Sequence, residues 1–146
     1  MGSPEAGGVT GRETDRLRVG VLASQGDFAV HERMLRELGA DAVAVRTAEQ
    51  LADLDALVIP GGESTTITKA IDRDGLEPAI RSHAAHGRPI LGTCAGMIVC
   101  DRDHLGLIDA TVRRNAFGRQ IASFETDLEL AGIGPDALRA VFIRAP

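Results

Sequence analysis

Short apolar runs alternate with amphipathic stretches along the first hundred positions of the chain. These runs are rich in Val, Leu and Ile, and most lead into turns that contain Gly or Pro, which is typical of buried strands. They lie at residues 17–23, 42–45, 56–59 and 89–92. Strands that alternate with helices predict βαβ units. The expected fold is therefore α/β, with a mostly parallel, flavodoxin-like sheet that carries helices on both faces.

The first predicted helix begins after Asp27, a good N-cap residue, and ends at Gly39. Its apolar positions recur at helical spacing, so they share one stripe of the kind that faces a core. That stripe consists of Val30, Met34, Leu35 and Leu38. Further helices are predicted at residues 47–54, 64–71 and 76–86.

The pattern weakens after Cys100, where the chain becomes β-rich. Possible strands lie at residues 108–112, 123–130 and 140–143, and the sequence stops directly after the last of them. An α/β domain normally closes with a helix, so we expect this domain to be truncated at its C-terminus. The expected organisation is a flexible leader at residues 1–16 and one domain at residues 17–146.

Charge and composition narrow the classes of partner. The 146 residues include 16 Lys and Arg against 21 Asp and Glu, a net charge of −5. Nucleic acids and anionic membranes both require a basic face, so neither is an expected partner. No apolar run is long enough to span a bilayer, and the N-terminus lacks the apolar region of a secretory signal. Two Cys residues cannot build a disulfide framework, which favours a reducing, cytoplasmic setting.

Three unusual loops each follow a predicted strand and precede a predicted helix. They lie at residues 24–26, 60–64 and 92–96. Parallel sheets bind their ligands at the carboxyl ends of the strands, where all three loops would lie. The sequence therefore predicts a functional site at this edge of the sheet.

The third loop has the G-x-nucleophile-x-G form of an elbow that raises a side chain above a sheet. Its central residue is Cys94, between Gly92 and Gly96. The thiol would stand at a helix N-terminus, where the helix dipole favours the thiolate. The alternative is a buried Cys that packs as a small apolar residue, and this is how we interpret Cys100. Cys94 is therefore the candidate nucleophile.

The second loop reads Pro-Gly-Gly-Glu-Ser. Proline ends the strand, and the glycines leave backbone N–H groups unshielded. The N–H groups of Gly62 and Ala95 could together form an oxyanion hole for acyl transfer. The alternative is a plain turn in which Ser64 caps the following helix.

Several strings of the sequence carry a family resemblance. They are residues 20–26, 60–66, 92–97, 104–107, 113–120, 123–125 and 141–146. In this order they resemble the glutaminase subunit of pyridoxal 5′-phosphate synthase, a branch of the class I glutamine amidotransferases. The Thr-Cys-Ala-Gly and Arg-Asn-Ala-Phe-Gly-Arg-Gln strings point to this branch rather than to other amidotransferases.

The resemblance implies hydrolysis of L-glutamine through a thioester on Cys94. The ammonia would pass to a (β/α)₈ synthase subunit that builds pyridoxal phosphate, and no cofactor or metal is expected in the glutaminase itself. Glutamine would be held by Gly62, Glu63, Ser64, Arg114, Ile143 and Arg144. A planar guanidinium suits the α-carboxylate of the substrate, although Arg114 could also be a solvated charge at a strand edge.

The catalytic His and Glu of such enzymes come from a His-Pro-Glu stretch that this sequence does not contain. Residues 97–104 also look several positions shorter than in the family. None of the four His residues is a convincing base, and His31 in particular is interpreted as structural or interfacial. These residues are His31, His83, His86 and His104. A docking or binding subunit without the triad His and Glu therefore stays open as an alternative, as does a related Cys hydrolase of another specificity.

Overall fold

The structure, a computed structural model, describes residues 15–24, 28–114, 116 and 123–143. The described residues form six strands: β1 (Arg18–Leu22), β2 (Asp41–Val45), β3 (Ala56–Ile59), β4 (Ile90–Gly92), β5 (Phe124–Leu128) and β6 (Leu138–Phe142). Its helices are α1 (Phe28–Glu37), α2 (Ser64–Arg73), α3 (Glu77–Ala85), α4 (Ala95–Cys100) and the 3₁₀ helix Ala48–Leu51. The chain divides into two compact units, Met1–Thr111 and Val112–Pro146.

The first unit is built on a four-stranded parallel sheet of order β2-β1-β3-β4. Residues that face each other across the strands include Val21 with Val58, and Val58 with Leu91. Each connection between neighbouring strands runs through helical structure, which is the βαβ arrangement that the alternating pattern predicts. The predicted α/β fold and its four parallel strands are confirmed.

Each face of this sheet has its own apolar cluster. Leu57 and Ile59 of β3 belong to the larger cluster, which they form with residues of α2, α3 and α4. Val21 and Val58 belong to the smaller cluster on the opposite face, where Phe28 and Leu35 of α1 pack. Helices therefore cover both faces, and burial of these side chains is the main stabilising contribution of the unit.

Helix α1 does not bury the stripe that its sequence suggests. Val30, Met34 and Leu38 are exposed, Leu38 by 78%. The face toward the sheet instead carries Phe28 and Leu35, seven positions apart, so it is rotated away from the expected stripe. Of the four predicted core positions on this helix, only Leu35 packs against the sheet.

Three local predictions are also corrected. The helix expected at residues 47–54 is a single 3₁₀ turn at Ala48–Leu51. Glu63, rather than Ser64, occupies the N-cap position of α2. The strand expected at residues 108–112 is absent, because Ile108 N donates a hydrogen bond to Cys100 O and Ala110 O accepts one from Arg102 N. These backbone groups hold a turn against the end of α4 instead of forming a ladder.

The described part of the second unit is an antiparallel pair of strands, β5 and β6. The rings of Phe124 and Phe142 stack with centroids 4.8 Å apart. Arg139 forms two ion pairs across the strands, with Nη2 3.0 Å from Glu125 Oε2 and Nη1 3.1 Å from Asp127 Oδ1. Strands predicted at residues 123–130 and 140–143 are thus confirmed with small shifts in their bounds. Among the described residues, no helix combines the length and apolar character needed to cross a membrane.

Candidate active site

The carboxyl ends of β3 and β4 bring two of the three unusual loops together. Because the two strands are neighbours, Thr93 N donates a hydrogen bond of 3.0 Å to Ile59 O. A methyl group on Gly61 would lie 3.0 Å from Cys94 Cβ and 3.5 Å from Cys94 Sγ. The loop between β3 and α2, residues 60–63, therefore packs directly against Cys94. The loop after β1 is described only as far as residue 24.

The backbone at Cys94 has an uncommon conformation. Cys94 has φ 53° and ψ −121°. Among the described residues, it is the one non-glycine residue whose φ is positive. Such conformations cost about 1–3 kcal/mol and persist only where the surrounding structure enforces them. The thiol is exposed, at the N-cap position of α4. This is the geometry of a nucleophile elbow, the turn at residues 92–96.

The glycines of the elbow are required by close packing. A methyl group on Gly92 would lie 2.6 Å from Gly96 O. A methyl group on Gly96 would overlap the carbonyl of Ile59. Larger residues would therefore push α4 away from β3, and the spacing of glycines around Cys94 follows from this contact.

The two cysteines have opposite environments. Cys100 is buried and belongs to the larger apolar cluster. Burial raises the pKa of its thiol, and the charge of Asp101 raises it further. The structure therefore places Cys100 as a core residue and leaves the exposed Cys94 as the thiol that solvent and substrate can reach.

The candidate oxyanion residues flank the nucleophile. Gly62 has φ 134°, a conformation that side-chain-bearing residues rarely adopt. Ala95 is the first residue of α4 and follows Cys94 directly. Glycine at position 62 therefore lets the loop turn beside the thiol. Gly61, which the sequence analysis did not single out, is the glycine in contact with Cys94.

The remaining candidates for glutamine binding lie in both units of the chain. Glu63 is exposed at the start of α2 and accepts a hydrogen bond of 3.5 Å from Thr66 Oγ1. Ser64 is buried in the first turn of this helix. In the second unit, Arg114 and Ile143 are exposed. Arg144 lies outside the described residues.

The four histidines differ in their relation to the elbow. His31 Nε2 lies 3.0 Å from Oγ1 of Thr93, the residue before the nucleophile. His83 and His86 lie at the end of α3, before β4 begins. His104 Nδ1 lies 2.6 Å from Asp101 Oδ1, beyond the C-terminal end of α4. In the part of the chain that the structure describes, no imidazole forms a hydrogen bond with Cys94 Sγ.

The contact of His31 with Thr93 is a feature that the sequence analysis missed. Phe28, His31 and Leu35 follow each other at spacings of three and four positions, so these partly buried residues share the face of α1 that packs against the sheet. That spacing is the sequence signal that could have placed His31 on the sheet-facing side of α1. In the described ranges, no group of three or more His, Cys, Asp or Glu side chains could hold a metal ion.

A protein-family model, the SNO glutamine amidotransferase family, matches residues 21–146. The chain belongs to this family. A relative from Niallia circulans, pyridoxal 5′-phosphate synthase subunit PdxT, is 54% identical over an alignment of 137 residues that covers 89% of this chain and 72% of the relative. The subunit of the same name from Acidothermus cellulolyticus is 53% identical over 142 residues, covering 91% of this chain and 69% of that one. The predicted resemblance is confirmed.

Solved structures agree with the family assignment. A crystal structure of a glutamine amidotransferase superposes with a TM-score of 0.70 at 47% identity, covering 88% of this chain and 71% of that one. A peptidase E protein from Listeria monocytogenes superposes with a TM-score of 0.54 at 16% identity, covering 65% of this chain and 64% of that one. The second likeness concerns the fold alone.

Proposed function

We propose that this protein is a glutaminase that hydrolyses L-glutamine to L-glutamate and ammonia through a thioester on Cys94. The observation that carries the proposal is the exposed thiol in a strained elbow, packed against the loop of Gly61 and Gly62. Membership of a glutamine amidotransferase family supports the same reaction. It favours an enzyme over a docking or binding subunit.

The reaction needs an attacking sulfur, a site for the oxyanion and a proton for the leaving nitrogen. The Cys94 thiolate attacks the side-chain amide carbon of glutamine, and the carbonyl oxygen becomes an oxyanion. The N–H groups of Gly62 and Ala95 are our candidates to stabilise that charge. When the intermediate collapses, the C–N bond breaks and the nitrogen, once protonated, leaves as ammonia. Water then attacks the thioester, which releases glutamate and restores the thiol.

Recognition of glutamine requires groups for its charged α-carboxylate and α-ammonium. Arg114 and Arg144 are our candidates for the carboxylate, because a guanidinium donates two parallel hydrogen bonds to such a group. Glu63, Ser64 and Ile143 complete the proposed set. Support for these assignments comes from the family motifs in which the residues stand.

The ammonia is passed to a synthase subunit that makes pyridoxal 5′-phosphate. The support is the name that the two relatives share, subunit of pyridoxal 5′-phosphate synthase. The partner would be a (β/α)₈ protein, in a hetero-oligomer with this chain. Two free thiols suit a reducing, cytoplasmic setting.

The test is release of glutamate and ammonia from L-glutamine, measured with the synthase subunit present. Cys94→Ala should abolish the glutamine turnover that the parent chain shows, because Cys94 is the exposed thiol and the thioester cannot form without it. Cys100→Ala is the matched control and should keep the parent rate. Equal loss in both variants, or none in Cys94→Ala, would contradict the proposal.

A second pair of variants tests recognition of the substrate. Arg114→Ala should raise KM for glutamine, whereas Arg113→Ala, which removes the neighbouring exposed guanidinium, should not. Equal KM values in the two variants would remove Arg114 from the proposed set without changing the assignment of Cys94.

A further inference from the structure

A side-chain hydrogen bond connects helix α1 to the nucleophile elbow. His31 Nε2 and Thr93 Oγ1 share a hydrogen bond of 3.0 Å between residues 62 positions apart in the chain. Val58 packs on the sheet face that α1 covers, and its partner on β4 is Leu91, whose side chain points to the same face. Side chains alternate between the two faces along a strand, so every second residue returns to the same face. Thr93, two residues after Leu91, therefore points to the sheet face on which α1 packs. The contact follows from the register of the sheet and the rotation of α1.

The strained backbone at Cys94 is otherwise held by main-chain contacts. Thr93 N donates to Ile59 O, and Gly96 N donates to Thr93 O at 2.9 Å. Met97 N donates to Cys94 O at 3.1 Å. These bonds fix Thr93 and Cys94 to β3 and to α4, and α4 packs on the sheet face of the larger cluster. His31 adds a restraint from the opposite face of the sheet.

We propose that His31 is a positioning residue for Cys94. Through Thr93 it holds the elbow in the conformation that presents the thiol. The inference rests on the proposed function, because it concerns the sulfur that forms the thioester. His31 acts here through Thr93 and transfers no proton to or from the sulfur.

The physical argument is one of restraint. A strained residue relaxes when a contact that enforces its conformation is lost. A hydrogen bond between uncharged side chains contributes about 1 kcal/mol, and Thr93, being β-branched, has a stiff χ1 that transmits the restraint to its backbone. Loss of the bond should therefore slow reactions of the Cys94 thiol by about fivefold, with little change in glutamine KM.

The experiment measures alkylation of Cys94 by iodoacetamide, followed by peptide mass, in the 146-residue chain. The variants are His31→Ala, Thr93→Val and the double variant, with His31→Gln as the rescue. Thr93→Val keeps the branched shape and removes only the hydroxyl. Glutamine places an amide nitrogen near the position of Nε2. His86→Ala, which removes an exposed imidazole at the C-cap of α3, is the matched control.

We expect each single variant to slow alkylation by about fivefold, and the double variant to be no slower than either single variant. His31→Gln and His86→Ala should stay close to the parent rate. The pH at which the alkylation rate reaches half its maximum should not move, because a positioning residue changes the rate of the thiolate and not its titration. Far-ultraviolet circular dichroism verifies that each variant is folded.

Three results would overturn the inference. The first is that Thr93→Val is alkylated at the rate of the parent protein. The second is that the double variant loses the sum of the two single effects on the alkylation rate. The third is that His31→Ala shifts the pH at which the rate is half its maximum, which would make His31 a proton partner of the thiol. Alkylation needs no glutamine. The inference can therefore fail while glutaminase activity stands, and it can hold even where no ammonia is released.

Discussion

At the scale of single residues, the two cysteines show how environment separates a nucleophile from a core side chain. Cys94 is exposed and strained, and Cys100 is buried six positions later. Both are thiols with the same intrinsic chemistry. The raised pKa of Cys100 leaves it with less thiolate at neutral pH, and its burial denies it contact with reagents.

A diazo-oxo analogue of glutamine should therefore label Cys94 and leave Cys100 untouched in the folded protein. The thiolate of Cys94 attacks the electrophile in the geometry that it uses on the amide. Peptide mass mapping locates the adduct. Labelling with iodoacetamide in urea, where both thiols are exposed, is the control. An adduct on Cys100 with Cys94 unmodified would refute the assignment.

A second residue-scale prediction concerns Gly62. Its φ of 134° is strained for any side chain, so Gly62→Val should redirect the N–H that we assign to the oxyanion hole. Glutamine hydrolysis should fall by about 10²-fold or more, the scale of losing one such donor, while the fold remains. The measurement is ammonia release together with circular dichroism.

Gly39→Val is the matched control for this variant. Gly39 also has a positive φ, 88°, and has open space around it, so its substitution imposes similar strain far from the elbow. Hydrolysis should be nearly unchanged in this control. Parent turnover in Gly62→Val would mean that the loop is only a turn.

The sequence could predict Cys94 but not its contact with α1, and the reason is geometric. The spacing of Gly92 and Gly96 around Cys94 is local, and it predicts a tight turn wherever strand meets helix. The bond between His31 and Thr93 depends on which face of α1 meets the sheet. Two apolar faces compete on this helix, and the sequence pattern favours the one that is exposed in the structure.

At the scale of elements, strands β1 to β4 were predictable because each is a short apolar run with a clear turn after it or a helix beside it. The run at residues 108–112 has a similar composition but forms no strand. Ile108 N is already bonded to Cys100 O, so this segment follows the end of α4. Backbone hydrogen bonds between a turn and the end of a helix produce no periodic pattern of apolar residues, so the sequence does not reveal them.

Packing of α3 leads to a prediction on pH. His83 is 3% exposed, and in the described part of the chain no partner reaches either ring nitrogen with full hydrogen-bond geometry. Burial lowers the pKa of His83, the charge of Arg88 lowers it further, and the carbonyl of Pro89 opposes these effects in part. The folded state therefore holds this imidazole neutral at a pH where the unfolded chain already binds a proton.

Stability should consequently fall as the pH drops below about 6.5, the value of an unfolded histidine, toward the lower pKa of the folded state. One such proton gives a slope of up to about 1.4 kcal/mol per pH unit. His83→Phe should flatten this dependence and keep the apolar contacts of α3. Urea unfolding at pH 7.5 and pH 5.5 measures the change.

The exposed His86 of the same segment offers a control, since His86→Gln should leave the pH dependence as it is. The prediction concerns the difference between the two pH values rather than stability at either one. An equal slope in the parent protein and in His83→Phe would show that another group is responsible.

At the scale of the whole molecule, the elements that present the nucleophile all lie in the first unit. Among the described residues, every member of both apolar clusters lies between Val19 and Leu107, within Met1–Thr111. The strand ladder, the elbow and the bond between His31 and Thr93 are also internal to this unit. Arg114 and Ile143, which we assign to glutamine, belong by sequence to the second unit.

The sequence signalled this division only as a change in pattern, because the alternation of strands and helices weakens after Cys100 and the chain becomes β-rich. A single domain at residues 17–146 was nevertheless expected, and it stays a prediction. Division into units depends on which residues contact each other in space, and those contacts join positions far apart in the chain.

The last prediction follows from this distribution. A chain that ends at Thr111 should unfold in one cooperative transition and keep an exposed Cys94, because the described members of the core and the residues of the elbow all lie within it. Its Cys94 should react with iodoacetamide within about twofold of the whole chain, since the contacts that enforce the strained backbone are retained. Urea unfolding followed by circular dichroism and the alkylation rate provide the two measurements.

The same shortened chain with Thr93→Val is the control, because it should lose reactivity as the whole chain does. If the shortened chain is still folded but its Cys94 is alkylated slowly, the second unit helps to hold the elbow. Loss of the cooperative transition would show that the apolar clusters depend on residues after Thr111. Retention of both properties would assign presentation of the nucleophile to the first unit, which leaves the contribution of Arg114 and Ile143 to be measured as substrate affinity alone.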